Sequence, residues 1–445
     1  MIPLGQNMPP ARTAALAALE KTLPLAGKPG QDLQAALDYV LRSVSDPRDK
    51  ALATELTYGF LRFKGRLEHL VTTHLSKPTK TPPRLLRIIA VAAYELIYLD
   101  NVPPHATLSW AVGFAKTLFG PAQANVVNAV LRRIQSLGEA AAAPSFYEAS
   151  TRSKEQFLAI WHSCPLWLVN LWLRQYDEQI ATILLHAQIC KPQTGVRINV
   201  LHPEAYNLFN TFTRLASPLF SRFPWLGFEM TNSHISALLS QAEHDGLLTR
   251  QSPAVGDILT RLGYGTWPDP IWDVCAGRGG KSMALLEQGH KLFSSDTNKR
   301  RLRGLITDAN RLHFAMPLAF LADGAHPPLH ERPTTLLIDA PCSGLGVLSR
   351  RPDAKWKRSP ADIIALASIQ KRIIQASSQI LPVGGFLVYM TCTMTREEND
   401  AQAASIERLG FVPVQLAEPA MTSDSREFFW GGVWRKTGVS PSSPR

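Results

Sequence analysis

Three separated stretches of this chain carry residue types that do covalent or cofactor chemistry. Thr335–Gly346 reads Thr-Leu-Leu-Ile-Asp-Ala-Pro-Cys-Ser-Gly-Leu-Gly. Its apolar run has the form of a buried parallel strand, and Asp339 ends it. Pro341 fixes a tight loop that carries Cys342, and Gly344 and Gly346 allow close approach to the backbone. In Gly384–Asn399, Phe386–Met390 is again a strand, with Cys392 at its carboxyl end. Ligands of open α/β sheets sit at carboxyl strand ends, so Asp339, Cys342 and Cys392 fall where chemistry happens. A lone Cys is commonly a small core side chain; two at the ends of two strands favour a reactive site. Asp273–Ser282, reading Asp-Val-Cys-Ala-Gly-Arg-Gly-Gly-Lys-Ser, is a strand, a glycine turn and a helix start. That is the geometry of a nucleotide-type cofactor site.

In this third stretch Gly277, Gly279 and Gly280 let the backbone turn tightly, and the helix beginning there offers free N–H groups to an anion. Cys275, Ala276, Arg278 and Lys281 complete the candidate lining. Asp296 ends the next strand, where an acid reads ribose hydroxyls in such folds, and Asp323 ends the third. The Gly-x-Gly-x-x-Gly fingerprint is absent, which weakens a nicotinamide dinucleotide.

The elements that must position these residues follow from periodicity. Strands are predicted near 270–275, 291–295, 317–321, 335–338, 385–390, 411–415 and 428–434, with helices at 280–288, 299–312, 360–380 and 396–409. This is a doubly wound, seven-stranded sheet, and the last two strands, with no helix between them, suggest a terminal hairpin. Residues 251–436 make this domain. Residues 191–250 read as a small α/β module, 141–190 as a helical linker with one helical span over 165–187, and 437–445 as a disordered tail. Residues 1–140 read as all helix, over 12–23, 32–44, 47–62, 84–98, 107–119 and 125–134. The fold class is therefore multidomain: an all-α N-terminal domain and a Rossmann-like α/β domain.

The net charge of +11 suits a polyanionic partner. No apolar run is long enough for a membrane span, and the N-terminus has no signal pattern, so a cytoplasmic protein is expected. The five cysteines (Cys164, Cys190, Cys275, Cys342 and Cys392) show neither framework spacing nor a Cys-x-x-Cys, so neither disulfides nor a metal site is expected. Ser349–Arg358 packs five basic residues and Trp356 after the Cys342 loop. Arg350, Arg351, Lys355 and Trp356 are candidates to neutralise phosphates and stack a base. Lys299–Arg303 reads as a solvated helix face, with Arg301 a weaker candidate near the cofactor.

As a set, the Asp-Ala-Pro-Cys stretch at 339–342, the Thr-Cys stretch at 391–392 and the glycine turn resemble the Sun (Fmu, RsmB-type) family of RNA cytosine-C5 methyltransferases. Tyr-Gly-Phe-Leu-Arg at 58–62 and Val-Asn-Ala-Val-Leu-Arg at 127–132 are similar to that family's NusB-like RNA-binding domain. The resemblance implies a class I methyltransferase fold, S-adenosylmethionine as cofactor, 16S ribosomal RNA as partner, and a small RNA-contacting module at 191–250. It implies Cys392 as the nucleophile at C6, Cys342 in product release, Asp339 on the base edge and Lys281 at the site floor. Family members usually read Cys-Ala-Ala-Pro-Gly-Gly-Lys-Thr in the cofactor turn; here Arg278 stands at the proline, adding a cation to contacts that are mainly backbone. A monomer is expected. Four readings stay open beside this one: a DNA-type arrangement with Cys342 as nucleophile, amino-group methylation, cytosine-C5 methylation of a different RNA, and a non-enzymatic RNA-binding assembly factor.

Overall fold

In the computed structural model, residues 8–25, 29–216, 218–229, 233–315, 318–328 and 332–438 are described. The tail expectation over 437–445 falls mostly outside them. The chain forms two compact units: residues up to Cys190 together with Leu348–Arg358, and Lys191–Val347 together with Ser359 onward.

The first unit is helical. Its main helices are Pro10–Thr22, Leu33–Leu41, Pro47–Thr73, Pro83–Tyr98, Pro104–Phe119 and Pro121–Leu137. All but the second open on a proline, whose missing N–H is no loss in a first turn. Alanines 11, 14, 15 and 18 of the first helix are buried and let it pack closely. The third helix runs past the predicted end at Arg62, because Leu67, Leu70 and Val71 continue its buried stripe. The span 165–187, predicted as one helix, is two: Leu166–Gln175 and Glu178–Ala187. Tyr176 is extended, and Asp177 caps the second helix by accepting from the Ile180 N–H at 2.8 Å. No helix among the described residues is long and apolar enough to cross a membrane.

Leu348–Arg358 is embedded in this helical unit. Lys355 is fully buried and donates to the Arg62 carbonyl (3.0 Å) and to Gln188 Oε1 (2.6 Å). Trp356 Nε1 donates to the Leu61 carbonyl at 2.7 Å, and Arg62 Nη2 returns a bond to the Ser349 carbonyl at 3.0 Å. The expectation that Lys355 neutralises a phosphate is therefore corrected, since its buried amine is spent on protein acceptors; Trp356 is half-buried, with its indole N–H on a protein carbonyl. Arg350 and Arg351 are exposed.

The second unit begins with a four-stranded antiparallel sheet in the order β2-β3-β1-β4. Its strands are β1 (Thr194–Ile198), β2 (Phe220–Arg222), β3 (Trp225–Phe228) and β4 (Leu248–Arg250), with helices Ala205–Ala216 and Ser233–His244 in a βαββαβ sequence. Val196, Ile198, Leu226, Phe228 and Leu248 face the helices. The opposite face, where such modules commonly stack single-stranded RNA, is covered by helix Pro253–Arg261. A Cβ at Gly195 would stand 2.1 Å from the Gln251 carbonyl oxygen, one at Gly227 2.6 Å from Pro253, and one at Gly256 2.2 Å from the Trp225 ring. Any RNA contact made by residues 191–250 must come from another surface.

The remaining strands are β5 (Ile271–Asp273), β6 (Leu292–Asp296), β7 (Leu318–Leu321), β8 (Thr335–Asp339), β9 (Phe386–Thr391), β10 (Phe411–Ala417) and β11 (Trp430–Lys436). They form a seven-stranded sheet in the order β10-β11-β9-β8-β5-β6-β7. β7, β6, β5, β8 and β9 run parallel, and β11 enters antiparallel between β9 and β10. Alternate residues feed two cores. Ile271, Leu337, Val388 and Val433 pack with Ile258 and Leu285 from helices Pro253–Arg261 and Gly280–Glu287. Trp272, Leu336, Ile338, Tyr389 and Trp434 pack with Ile373, Ile374 and Ile406 from helices Pro360–Ser377 and Asp400–Arg408. Two covered faces identify the doubly wound class, as the strand spacing predicts.

Candidate active site

The strand order reverses between β5 and β8, which opens a crevice at their carboxyl ends. The glycine turn follows β5. Gly277 and Gly279 take φ +59° and +82°, a region that favours glycine. Gly279 also lets helix Lys299–Arg311 approach, since a Cβ there would lie 2.6 Å from Leu305 Cγ. Around Gly277 nothing lies within 4 Å of such a Cβ, so that flank of the turn is open. Asp296 is buried at the end of β6 and steadies the turn: Oδ2 accepts from the Gly277 N–H (3.0 Å) and Oδ1 from the Asn298 N–H (2.7 Å). Arg301 Nη1 stands 4.0 Å from the same carboxylate. Arg278 turns away from the loop toward Asp308 of helix Lys299–Arg311, at 3.4 Å. The cation at the usual proline position therefore lies along a helix.

Cys275 is held protonated by burial and by the carboxylates of Asp273 and Asp339. It can line a site, and as a thiol it is a poor nucleophile. Asp323 is half exposed and accepts from the Ala325 N–H and from His326, at 2.9 and 3.2 Å. Asp273 was not singled out in the sequence. Burial pushes its carboxyl up to about 7; Oδ2 accepts from Ser282 Oγ at 2.6 Å, while Oδ1 is buried without a protein partner.

The turn is braced from the small sheet. Arg197 of β1 is fully buried, pairs with Glu287 at 3.0 Å, and donates from Nη1 to the Gly280 carbonyl (2.7 Å) and to Gln251 Oε1 (2.6 Å). The local sequence, a strand of Thr-Gly-Val-Arg-Ile, carries no sign of this.

At the end of β8, Asp339 Oδ2 accepts from Lys281 Nζ at 2.6 Å. Burial opposes the Lys281 charge, but Asp339 and the Cys392 sulfur favour it and outweigh burial. The Phe429 ring lies 5.8 Å from the same ammonium. Beyond β8 and β9 the two cysteines meet: Cys342 Sγ and Cys392 Sγ are 3.2 Å apart, and the Cys392 N–H points at Cys342 Sγ at 3.4 Å. A disulfide is about 2.05 Å, so these are two thiols in contact. Gly346 allows the loops to touch, its N–H donating to the Cys392 carbonyl at 2.9 Å where a side chain would collide. The Cys342 thiol is pushed well above its usual range, first by its bond with Cys392, then by burial. It stays protonated and can donate to a charged sulfur beside it.

The structure thus brings together Asp273, Cys275, Gly277, Lys281, Asp296, Asp339, Cys342 and Cys392 along the carboxyl ends of β5, β6, β8 and β9. Among the described residues no group of three or more His, Cys, Asp or Glu is placed to hold a metal ion.

Residues 266–413 match the family model for the 16S rRNA methyltransferase RsmB/F, and residues 9–136 match the NusB family. The ribosomal RNA small subunit methyltransferase B of Vibrio cholerae serotype O1 is 32% identical over 419 residues, covering 92% of each chain. The probable ribosomal RNA small subunit methyltransferase B of Bacillus subtilis is 28% identical over 383 residues, 82% of this chain and 83% of its own. Among solved structures, PH0851 superposes with a TM-score of 0.73 at 17% identity, covering 96% of this chain and 99% of its own. NSun6 from Pyrococcus horikoshii, solved with SFG, gives 0.52 at 19% identity over 62% of this chain and 99% of its own. These two likenesses are of fold.

Proposed function

Because the chain belongs to the 16S rRNA methyltransferase RsmB/F family, we propose that it methylates C5 of a cytidine in small-subunit ribosomal RNA, with S-adenosylmethionine as donor. The observation that carries the C5 chemistry is the Cys342–Cys392 contact beside the Lys281–Asp339 pair. Amino-group methylation has no use for two thiols.

The glycine turn fits the donor. Its open flank at Gly277, the buried unpaired Oδ1 of Asp273 and the ribose-reading acid Asp296 offer, respectively, room, an acceptor for an ammonium and an acceptor for hydroxyls. When bound there, S-adenosylmethionine supplies a methyl group as a sulfonium electrophile.

Cytosine C5 is too weak a nucleophile to take that methyl unaided. Cys392 Sγ bonds to C6, which pushes the C5–C6 π pair toward C5 and makes it enamine-like. Asp339, held by Lys281, accepts from the base edge and stabilises the ring as it takes up the proton given up by the Cys392 thiol. After methylation the C5 proton passes to water, the C5–C6 double bond reforms, and the C6–sulfur bond breaks with its electron pair returning to Cys392. Cys342 takes part in this second half, as the thiol in contact with the departing sulfur.

RNA reaches the enzyme through charge. The chain carries +11 net charge, and the exposed Arg350 and Arg351 follow the Cys342 loop. The target base must be unpaired or flipped to meet Cys392. The test is nucleoside mass analysis of small-subunit RNA incubated with the protein and methyl-labelled S-adenosylmethionine. Label in 5-methylcytidine is expected. Label on an exocyclic amino group, or none, overturns the reading.

A further inference from the structure

The two thiols come from loops whose cysteines are 50 residues apart, and one buried carboxylate ties those loops together. Glu398 is fully buried. Its Oε1 accepts from the Ser343 N–H (2.8 Å) and from Gln370 Nε2 (3.0 Å), and its Oε2 from Ser343 Oγ (2.5 Å) and Thr395 Oγ1 (2.9 Å). Gln370 Nε2 also donates to the Pro341 carbonyl at 3.0 Å. The residues on both sides of Cys342 are therefore tied to Glu398. On the other loop, Thr393 Oγ1 meets Ser343 Oγ at 2.6 Å, and Asn399 Nδ2 holds the Thr393 carbonyl at 3.0 Å. Tyr389 OH donates to the Glu398 carbonyl at 2.8 Å. A side chain that receives four donors is used as an acceptor throughout, the pattern of a carboxylate.

We propose that Glu398 is the positioning residue of the thiol pair: it fixes the Cys342 loop against the Cys392 loop and sets a carboxylate on the Cys342 side of the two sulfurs. What the thiols do rests on the C5 reading; how they are held does not. The charges around Cys342 agree. Its thiol is held up first by the Cys392 hydrogen bond, then by burial, then by the charges of Cys392 and Glu398. Tyr389 beneath it is kept neutral by burial, and the Lys281–Asp339 pair lies toward Cys392. Glu398, bound to Ser343 and through Gln370 to Pro341, is thus a carboxylate on the Cys342 side of the pair.

Glu398→Gln keeps the shape, removes the charge and sets amide hydrogens against donors. Iodoacetamide labelling of each cysteine across pH, read by peptide mass analysis on the full chain, reports the asymmetry without RNA or methyl transfer. In Glu398→Gln the Cys342 labelling profile should move to lower pH, since the Glu398 charge is one of the groups that hold the thiol up. Turnover should fall on the order of 100-fold, as for a misplaced reacting group, with S-adenosylmethionine affinity nearly unchanged. Ser343→Ala keeps the charge but cuts the Oγ ties to Glu398 and Thr393, so turnover should fall while the Cys342 profile stays in place. A Cys342 profile unmoved by Glu398→Gln, or wild-type turnover in that variant, overturns the proposal. If Glu398→Gln does not fold, wild-type turnover in both Ser343→Ala and Gln370→Leu overturns it. Failure to find 5-methylcytidine would sink the C5 reading and leave the labelling result standing by itself.

Discussion

Lys281 Nζ lies 2.6 Å from Asp339 Oδ2, joining the first turn of the helix after β5 to the end of β8 across the crevice of the sheet. The ammonium holds in place the carboxylate that the proposed mechanism needs at the base edge. Lys281→Met removes that donor, so the Asp339 side chain loses its fixed position and turnover should fall about 10- to 100-fold. Wild-type turnover in Lys281→Met would show that the pair has no part in the reaction.

Asp296 accepts from the Gly277 N–H and ends β6, the place where the ribose of the proposed cofactor would be read. Asp296→Ala should weaken S-adenosylmethionine binding by about 1.5–3 kcal/mol, the worth of hydrogen bonds to a charged acceptor. Calorimetric titration checks this, and an unchanged affinity would count against the placement of the cofactor.

The basic stretch after Cys342 divides into two kinds of residue. Arg350 and Arg351 are exposed, whereas Lys355 is buried on the Arg62 carbonyl and Gln188. Replacing both arginines by Ala should reduce the slope of log affinity against log salt by about 2. Lys355→Ala should leave that slope alone and lower the melting temperature instead. A salt slope that responds to Lys355 and not to the arginines would reverse the assignment.

Lys355 also makes stability depend on pH. Burial pulls its ammonium down to about 7 from 10.5. Below pH 7 the group is protonated both folded and unfolded, and above 10.5 it is neutral in both. Between these values the unfolded chain holds a proton that the folded chain has released, so this group's contribution to stability rises with pH across the window. Denaturant melts of wild type and Lys355→Met should diverge in favour of wild type from pH 7 upward, by at most about 1.4 kcal/mol per pH unit. A difference that is flat between pH 7 and 9 would contradict the burial.

Much of the catalytic domain is legible because its signals are local. Apolar runs bounded by Gly, Pro and Asp mark the strands, and Asp339 and Cys342 stand at the end of one strand and Cys392 at the end of another. The helical unit is also open to reading, since Pro47 opens one helix and Pro82-Pro83 introduce another, although the helix expected from 125 begins at Pro121. What is hidden depends on partners far along the chain. Lys355 looks like a phosphate contact until the Arg62 carbonyl and Gln188 are found to accept from it. Glu398 looks like one of two acids opening a surface helix, yet it is buried against Ser343, Gln370 and Thr395. Asp177, by contrast, is a local capping signal that divides one expected helix into two.

The central claim is that Cys392 attacks C6 while Cys342 serves elimination. It is tested most directly by incubating Cys342→Ala and Cys392→Ala with small-subunit ribosomal RNA and S-adenosylmethionine, then running both under denaturing conditions. A cavity from one lost thiol costs about 1–2 kcal/mol, so both variants should fold. Cys342→Ala should attack, methylate and stall, giving a slow-migrating protein–RNA adduct, and Cys392→Ala should give none. An adduct from Cys392→Ala and none from Cys342→Ala would make Cys342 the nucleophile, and no adduct from either would contradict the covalent account.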